Sequence, residues 1–308
     1  MSDLSTHWKL RPERSNMLML RLMTWVSLRL GRRMARGILY GIAAYFLLLS
    51  PSARRASRQY LGRVHPDQRV GWRLQFQHFM AFASVIHDRV YLVNDRFDLY
   101  DIHLHGQQLV HSVLEQRRGA FLLGAHLGSF EVLRAVGQQQ PGLRLAMVMF
   151  EENARKINAL LHAINPAAHS HIVPLGKVDS MMVVHELLES GAVVGILADR
   201  SLGSDSTRSL SFLGAPAALP VGPFRMAAIL RRPVLFMVGL YGGGNRYDIH
   251  FETVADFSHI PAGGREAAVH AAMARYVELL EKYCHAAPSN WFNFFDFWQP
   301  PAVPHLSP

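Results

Sequence analysis

The stretch that decides the fold covers residues 120–135 and reads "AFLLGAHLGSFEVLRA". It begins with an uninterrupted apolar run, which is typical of a short strand buried on both faces of a sheet. Two titratable residues, His126 and Glu131, follow the run five positions apart. The stretch therefore predicts a strand, a loop that carries His126, and a helix that begins near Ser129.

Working outward, similar apolar runs alternate with amphipathic stretches along the rest of the body. The strand-like runs are 120–125, 143–150, 171–175, 193–198, 233–240 and 246–252, and the helix-like stretches are 129–138, 153–164, 179–190, 221–231 and 265–284. This alternation predicts an α/β fold with a mostly parallel central sheet flanked by helices. Ligands of such sheets bind at the carboxyl ends of the strands, where His126 and the pair Asp199–Arg200 fall.

The excess positive charge is confined to the first 73 residues. They hold 14 Lys and Arg against 3 Asp and Glu, a balance of +11, whereas the whole chain carries +9. The single cysteine, Cys284, excludes an internal disulfide framework and fits a reducing compartment. We predict three regions: a basic helical segment (1–73), an α/β domain (74–298) and a loose C-terminal tail (299–308).

Two helical patterns follow each other in the basic segment. On one uninterrupted helical wheel, one face carries Arg21, Arg29, Arg32, Arg33 and Arg36, and the opposite face carries Met19, Met23, Leu30 and Met34. Residues 37–50 are uncharged and apolar but number only 14, fewer than the ~20 that a spanning helix needs. We predict an amphipathic and apolar segment that lies on the membrane or anchors the chain once. A soluble helix with a solvated arginine face is the alternative, and no nucleic-acid partner is predicted.

The spacing of His126 and Glu131 sets a condition on any joint role. Residues five apart do not share a face of a continuous helix, and on one strand they point to opposite faces. The two side chains meet only if a turn intervenes, which Gly128 allows and which Ser129 would follow as an N-cap. Glu131 would then accept the Nδ1 proton of His126 and leave Nε2 as a general base. A capped loop histidine is the alternative that spacing alone leaves open.

Three motifs, in this order, resemble one family. The segment "HLGSFE" (126–131) fits the H-x4-[D/E] box of glycerolipid-type acyltransferases. The segment "ADRSLG" (198–203) resembles the strand-ending P-D-x-D-x-G segment of the bacterial lipid A late acyltransferases, the lauroyl/myristoyl family. The segment "FLGAPAALPVGPFRMA" (212–227) is similar to that family's F-x-G-x-x-x-x-x-x-x-G segment. The resemblance covers roughly residues 100–298 and places the chain in the lysophospholipid acyltransferase superfamily.

The resemblance implies a glycerolipid acyltransferase-like fold and an enzyme on the cytoplasmic face of the inner membrane. Its partners would be membrane lipids and a thioester of acyl carrier protein or coenzyme A, whose acyl chain passes to a lipid or glycolipid hydroxyl without a cofactor or a metal. His126 and Glu131 carry over as the catalytic dyad. The candidate substrate-binding residues are Arg155, Asp199, Arg200 and Gly214.

Two other classes of function stay open at this point. One is a non-catalytic protein that binds anionic membranes through its arginines. The other is a lipid hydrolase with Ser129 as the nucleophile, although "LGSFE" does not match G-x-S-x-G. The aromatic run "NWFNFFDFW" (290–298) fits an acyl-chain tunnel, the bilayer interface or plain core packing.

Overall fold

A seven-stranded sheet forms the centre of the protein. The computed structural model describes residues 13–133, 137, 143–165, 172–175, 179–201, 206–261 and 263–298. The strands are β1 (Asp101–His105), β2 (Ala120–Gly124), β3 (Leu145–Phe150), β4 (Ile172–Leu175), β5 (Val193–Leu197), β6 (Thr207–Phe212), β7 (Ala215–Pro220), β8 (Pro233–Gly243) and β9 (Arg246–Asp256). The helices are α1 (Glu13–Leu49), α2 (Pro51–Val64), α3 (Trp72–Leu92), α4 (Gln107–Gln116), α5 (Glu151–Ile164), α6 (Ser180–Glu189), α7 (Gly222–Ile229) and α8 (Arg265–Ala286).

The strands of the sheet lie in the order β1-β9-β8-β2-β5-β3-β4. All neighbouring pairs are parallel except the hairpin of β8 and β9. Strands β6 and β7 form a separate antiparallel hairpin. The predicted α/β fold with a mostly parallel sheet is confirmed. Strand β2 lies in the middle of the sheet, between β8 and β5, so the residues that follow it emerge at the centre of one sheet edge.

Helices cover both faces of the sheet, as continuous apolar strands require. Successive residues of β2 alternate between two cores: Phe121 and Leu123 face one, and Ala120 and Leu122 face the other. The first core includes buried side chains of α2, α6, α7 and α8, and the second includes those of α3, α4 and α5. Every residue of β2 is buried, which explains its uninterrupted apolar sequence.

Helix α1 is interrupted at Gly31, where the backbone is non-helical with φ 78° and ψ 164°. The helical wheel that grouped the arginines assumed an unbroken helix, so that part of the interpretation was wrong beyond Gly31. Arg32 and Arg36 turn toward the body of the protein, where both contact Asp88 of α3 and the carbonyl oxygen of Gly244. Met34, predicted on the opposite face, is exposed. The side chains of Arg21, Met19, Met23 and Leu30 lie outside the described set.

Most exposed large apolar side chains lie on or near α1, whose surface also carries the exposed Arg29 and Arg33. Of the thirteen large apolar side chains that are exposed among the described residues, nine lie between Trp25 and Trp72. No single described helix is long and apolar enough to cross a membrane, but the segments Gly31–Leu49 and Pro51–Val64, bent by 94°, meet that requirement as a pair.

The sequence anticipates most of the elements but not all of them. Each predicted strand has a counterpart within a few residues, and so do the helices predicted at 153–164, 179–190, 221–231 and 265–284. The helix predicted at 129–138 is described only in part, and residues 131–132 form a turn. The tail 299–308 lies outside the described residues. Strands β1, β6 and β7 and helices α3 and α4 were not anticipated.

Candidate active site

His126 and Asp199 meet because their strands are neighbours in register. Gly124 at the end of β2 is paired with Leu197 at the end of β5, and each of the two titratable residues lies two positions beyond this pair. The chains leave the sheet side by side, so both side chains fall at the same point of the carboxyl edge. His126 Nδ1 lies 2.8 Å from Asp199 Oδ1, and the backbone N–H of His126 donates to Asp199 Oδ2 at 3.0 Å.

Asp199 is completely buried and accepts four hydrogen bonds. Besides the two from His126, its Oδ2 accepts from Trp291 Nε1 at 3.3 Å and from Asn293 Nδ2 at 3.0 Å. Burial alone would raise the pKa of Asp199, but the His126 ring, the charge of Arg200 and the Asn293 amide together hold it well below its usual range. Asp199 is therefore a carboxylate at neutral pH, with its orientation fixed by donors on both oxygens.

The contact with Asp199 selects one form of the imidazole. A carboxylate only accepts hydrogen bonds, so Nδ1 of His126 carries the proton that lies between the two residues. The other ring nitrogen, Nε2, has no partner among the described residues, and 31% of the side chain is exposed. A neutral ring in this state presents a basic lone pair toward solvent at the edge of the sheet.

A tight turn after His126 depends on Gly128. Its φ is +72°, and a Cβ at this position would lie 2.0 Å from the carbonyl oxygen of Gly239. The backbone N–H groups of Gly128 and Ser129 donate to Asn290 and Gly239 at 2.8 Å each. These bonds attach the loop to β8 and to the C-terminal segment, so the position of His126 does not rest on the loop alone.

The aromatic C-terminal run packs directly against the site. Trp291 is completely buried, and the N–H of Phe292 donates to the carbonyl oxygen of His126 at 2.7 Å. Asn293 bridges two charged residues: its amide donates to Asp199, and its carbonyl oxygen accepts from Arg200 Nε. Asn290 and Asn293 were not predicted as site residues, although two asparagines within an aromatic run were the available signal.

Glu131 does not contact His126 in this structure. Its Oε1 lies 2.7 Å from Nε of Arg89 on α3, while Asp199 occupies the Nδ1 side of the histidine. The expected hydrogen bond between Nδ1 and Glu131 is therefore not formed, because the neighbouring strand already brings a carboxylate to that nitrogen. A catalytic role of Glu131 stays a prediction.

The four predicted substrate-binding residues do not all gather around His126. Arg200 Nη2 donates to the carbonyl oxygen of Phe292 at 2.9 Å, and its guanidinium lies over the Phe295 ring, so this arginine fastens the C-terminal segment. Asp199 was predicted to bind substrate; it is completely buried here, and its substrate-binding role, like that of Arg200, stays a prediction. Arg155 lies exposed on α5, and Gly214 forms the exposed tip of the β6–β7 hairpin with φ +74°. Neither forms a hydrogen bond or ion pair with His126 among the described residues, and their substrate-binding roles stay predictions.

His78 on α3 holds the C-terminal segment that packs against the site. Its Nε2 donates to the carbonyl oxygen of Trp291 at 2.8 Å, and its Nδ1 accepts from Ser57 Oγ at 2.9 Å. The ring is completely buried and lies against Phe294, with 4.5 Å between the ring centroids. A neutral ring with its proton on Nε2 satisfies both nitrogens and links helices α2 and α3 to the segment that holds Asp199.

We expect His78 to make the fold sensitive to mild acid. Burial lowers the pKa of His78 from 6.5 to about 4, so between these values the unfolded chain binds a proton that the folded chain does not. Stability is then lost as the pH falls through this window, by about 2 kcal/mol between pH 7 and pH 5. Melting curves at both pH values measure this loss. His78→Gln should flatten it and the exposed control His270→Gln should not; equal slopes in all three proteins would refute the assignment.

The described residues offer no metal site: no three His, Cys, Asp or Glu side chains among them converge to hold an ion. What converges is a buried carboxylate and a histidine with one free nitrogen, at the carboxyl edge of a parallel sheet. Fold and site together have the organisation of an α/β enzyme with a histidine–carboxylate pair.

The sequence pattern described as Bacterial lipid A biosynthesis acyltransferase matches residues 6–299. The chain belongs to this family, and the resemblance noted from its three motifs is confirmed. The protein is therefore an acyltransferase, in a family of membrane-associated enzymes of lipid biosynthesis. No individual curated protein matches the sequence.

Proposed function

We propose that the protein transfers a fatty acyl chain from a thioester of acyl carrier protein or coenzyme A to a hydroxyl of a lipid or glycolipid. His126 acts as the general base, and the reaction needs no metal, cofactor or acyl-enzyme intermediate. The observation that carries this proposal is the hydrogen bond from His126 Nδ1 to buried Asp199, which leaves Nε2 as the basic nitrogen. In this proposal Asp199 orients the histidine, whereas the sequence prediction gave that role to Glu131.

The chemistry follows from this arrangement. Nε2 takes the proton of the acceptor hydroxyl as its oxygen forms a bond to the thioester carbonyl carbon, and Asp199 stabilises the resulting imidazolium. When the tetrahedral intermediate collapses, the carbon–sulfur bond breaks and the imidazolium returns its proton to the leaving thiolate. The products are an ester of the acceptor and a free thiol, and His126 ends as a neutral base.

Glu131 has a positioning role in this proposal. It lies five residues after His126 on the same loop, and its ion pair with Arg89 fastens that loop to α3. The pair is partly shielded, with 15% of the Glu131 side chain exposed. Such a pair maintains the position of the histidine without sharing its proton.

In this proposal the protein works at the cytoplasmic face of the inner membrane, and the exposed apolar side chains of α1 support contact with a membrane. The exposed apolar side chains toward the C-terminal end of this helix, including Tyr45, Leu48 and Leu49, would insert among lipid chains. A peripheral or monotopic attachment places the active site beside its lipid acceptor, with the acyl donor arriving from the aqueous side.

The proposal is tested by product analysis. Purified protein in detergent is incubated with acyl carrier protein and coenzyme A thioesters and a membrane lipid extract, and the products are read by mass. We expect one thiol released for each acyl chain gained by a lipid, and neither with His126→Ala. Free fatty acid in place of an acylated lipid would establish hydrolysis, and vesicle binding without thioester consumption would establish a non-catalytic protein.

Ser129→Ala should leave transfer unchanged. Its hydroxyl is buried without a hydrogen-bond partner among the described residues, so its removal relieves an unsatisfied polar group and should not lower the free energy of unfolding. Rates of thioester consumption and melting temperatures of variant and wild type measure both expectations. Loss of activity in a folded Ser129→Ala variant would instead favour the hydrolase with a serine nucleophile.

A further inference from the structure

A recess outside the active site lies between α2 and the start of α3. It measures about 470 Å³ and is lined by Arg58, Gly62, Arg69, Val70, Gly71 and Trp72. Both arginines are exposed, and neither has an ion-pair partner among the described residues. Two unpaired guanidinium groups in one recess are suited to a phosphate, which each can contact with two parallel hydrogen bonds.

The charge around the recess is mostly positive. Residues 51–73 contain six arginines and one acidic residue, Asp67. The excess is local, because the chain after residue 73 has a net charge of −2. An anion that reaches this surface is therefore attracted by the whole α2 region and not only by the two arginines that line the recess.

The recess borders the exposed apolar end of α1. Arg54 Nη1 donates to the carbonyl oxygen of Leu47 at 3.1 Å, and its guanidinium lies 5.3 Å from the centre of the Trp72 ring. This arginine therefore joins the end of α1 to the rim of the recess. Trp72 is 52% exposed, and Leu48 and Leu49 at the C-terminal end of α1 are exposed as well. A cationic recess with an exposed tryptophan at its rim, close to exposed leucines, is the composition of a protein surface at the headgroup level of a bilayer.

We propose that this recess binds the phosphate headgroup of an anionic membrane phospholipid while the neighbouring apolar residues contact its acyl chains. A soluble phosphate would use the arginines but not the leucines and Trp72, and a nucleic acid would leave the apolar patch in water. The lipid alone accounts for both halves of the surface. The site is separate from the His126–Asp199 pair and needs no acyl transfer.

Binding is measured with full-length protein in dodecyl maltoside, titrated with phosphatidylglycerol or phosphatidylcholine and followed by tryptophan fluorescence. Phosphatidylglycerol should bind more tightly than phosphatidylcholine, and Arg58→Gln/Arg69→Gln should weaken it about 10- to 30-fold, since each basic residue near a lipid surface contributes about 1 kcal/mol. The control is Arg117→Gln/Arg265→Gln, which removes the same charge from exposed arginines of the body and should change affinity less than about threefold. Trp72→Phe should lose most of the fluorescence change.

Three results would overturn the proposal: equal losses in the two double variants, no loss in Arg58→Gln/Arg69→Gln, or glycerol 3-phosphate binding as tightly as the lipid. The last would identify a site for soluble phosphate. The titration contains no acyl donor, so it succeeds or fails independently of the proposed transferase reaction. Thioester consumption by Arg58→Gln/Arg69→Gln with a detergent-dispersed acceptor should equal that of the wild type, which excludes misfolding as the cause of weaker binding.

Discussion

Asp199→Asn should lower kcat about 10³–10⁴-fold while the Michaelis constants of both substrates stay nearly unchanged. The amide fits the same space but can donate a hydrogen bond to Nδ1, which moves the ring proton to Nε2. His126 then has no lone pair directed at the acceptor hydroxyl. Initial rates of thioester consumption, with the acylated lipid quantified by mass, measure the loss.

A double variant distinguishes this mechanism from a general loss of structure. If His126 and Asp199 act as one unit, His126→Ala/Asp199→Asn should be no slower than the slower of the single variants. Losses that multiply would mean that the two residues act independently. Melting temperatures should show all variants folded at the assay temperature, and an Asp199→Asn enzyme within tenfold of wild type would refute the orienting role.

Glu131→Gln is the matched control, since it converts the other carboxylate that the sequence placed beside His126 into an amide. Its partner is Arg89 and not His126, so we expect a loss of at most about tenfold, from a less firmly held loop. A loss equal to that of Asp199→Asn would restore the sequence prediction that Glu131 is the partner of the histidine. The two amide variants therefore decide between the two carboxylates.

The pairing of His126 with Asp199 shows what the sequence could not reveal. The apolar runs 120–125 and 193–198 both predict buried strands, and the structure confirms both, as β2 and β5. Their adjacency could not be predicted from the sequence. Strands β3 and β4 lie between them in the chain, but in the sheet β2 pairs directly with β5. Spacing along the sequence favours Glu131 as the partner of the histidine, and only strand order brings Asp199 there.

The elements that the sequence did not predict were missed for different physical reasons. Strand β1 reads "DIHLH", with three polar residues of five, because it lies at the sheet edge and three of its side chains are exposed. Strand β7 contains two prolines, Pro216 and Pro220, which strand patterns disfavour but an isolated hairpin tolerates. Likewise, a helical wheel drawn through Gly31 misses the break in α1, since nothing in the sequence distinguishes this glycine from Gly37 and Gly41, which stay helical.

That break directs Arg32 and Arg36 at Asp88, and the resulting cluster joins α1 to the catalytic body. Arg32 contacts both oxygens of buried Asp88 at 2.9 Å, and the Tyr247 hydroxyl of β9 donates to Oδ2 at 3.0 Å. Burial alone would raise the pKa of Asp88, but His87, Arg32 and Tyr247 lower it. The carboxylate therefore connects α1, α3 and β9, and the basic segment is part of the folded body.

Asp88→Asn should consequently destabilise the protein by about 3–5 kcal/mol, because it leaves the guanidinium of Arg32 shielded from water without a counter-charge. Breaking one half of a buried pair is the costly change, so Arg32→Gln/Asp88→Asn, which removes both charges of the closer pair and leaves the more distant Arg36, should recover most of the loss. Asp248→Asn is the control, since its partner Arg246 is exposed and solvent already screens that pair. Thermal and urea unfolding in detergent measure all three.

Limited proteolysis should cut Asp88→Asn first near Gly31, where α1 is already non-helical. Equal melting temperatures for Asp88→Asn and Asp248→Asn would mean that α1 is held by its apolar contacts alone.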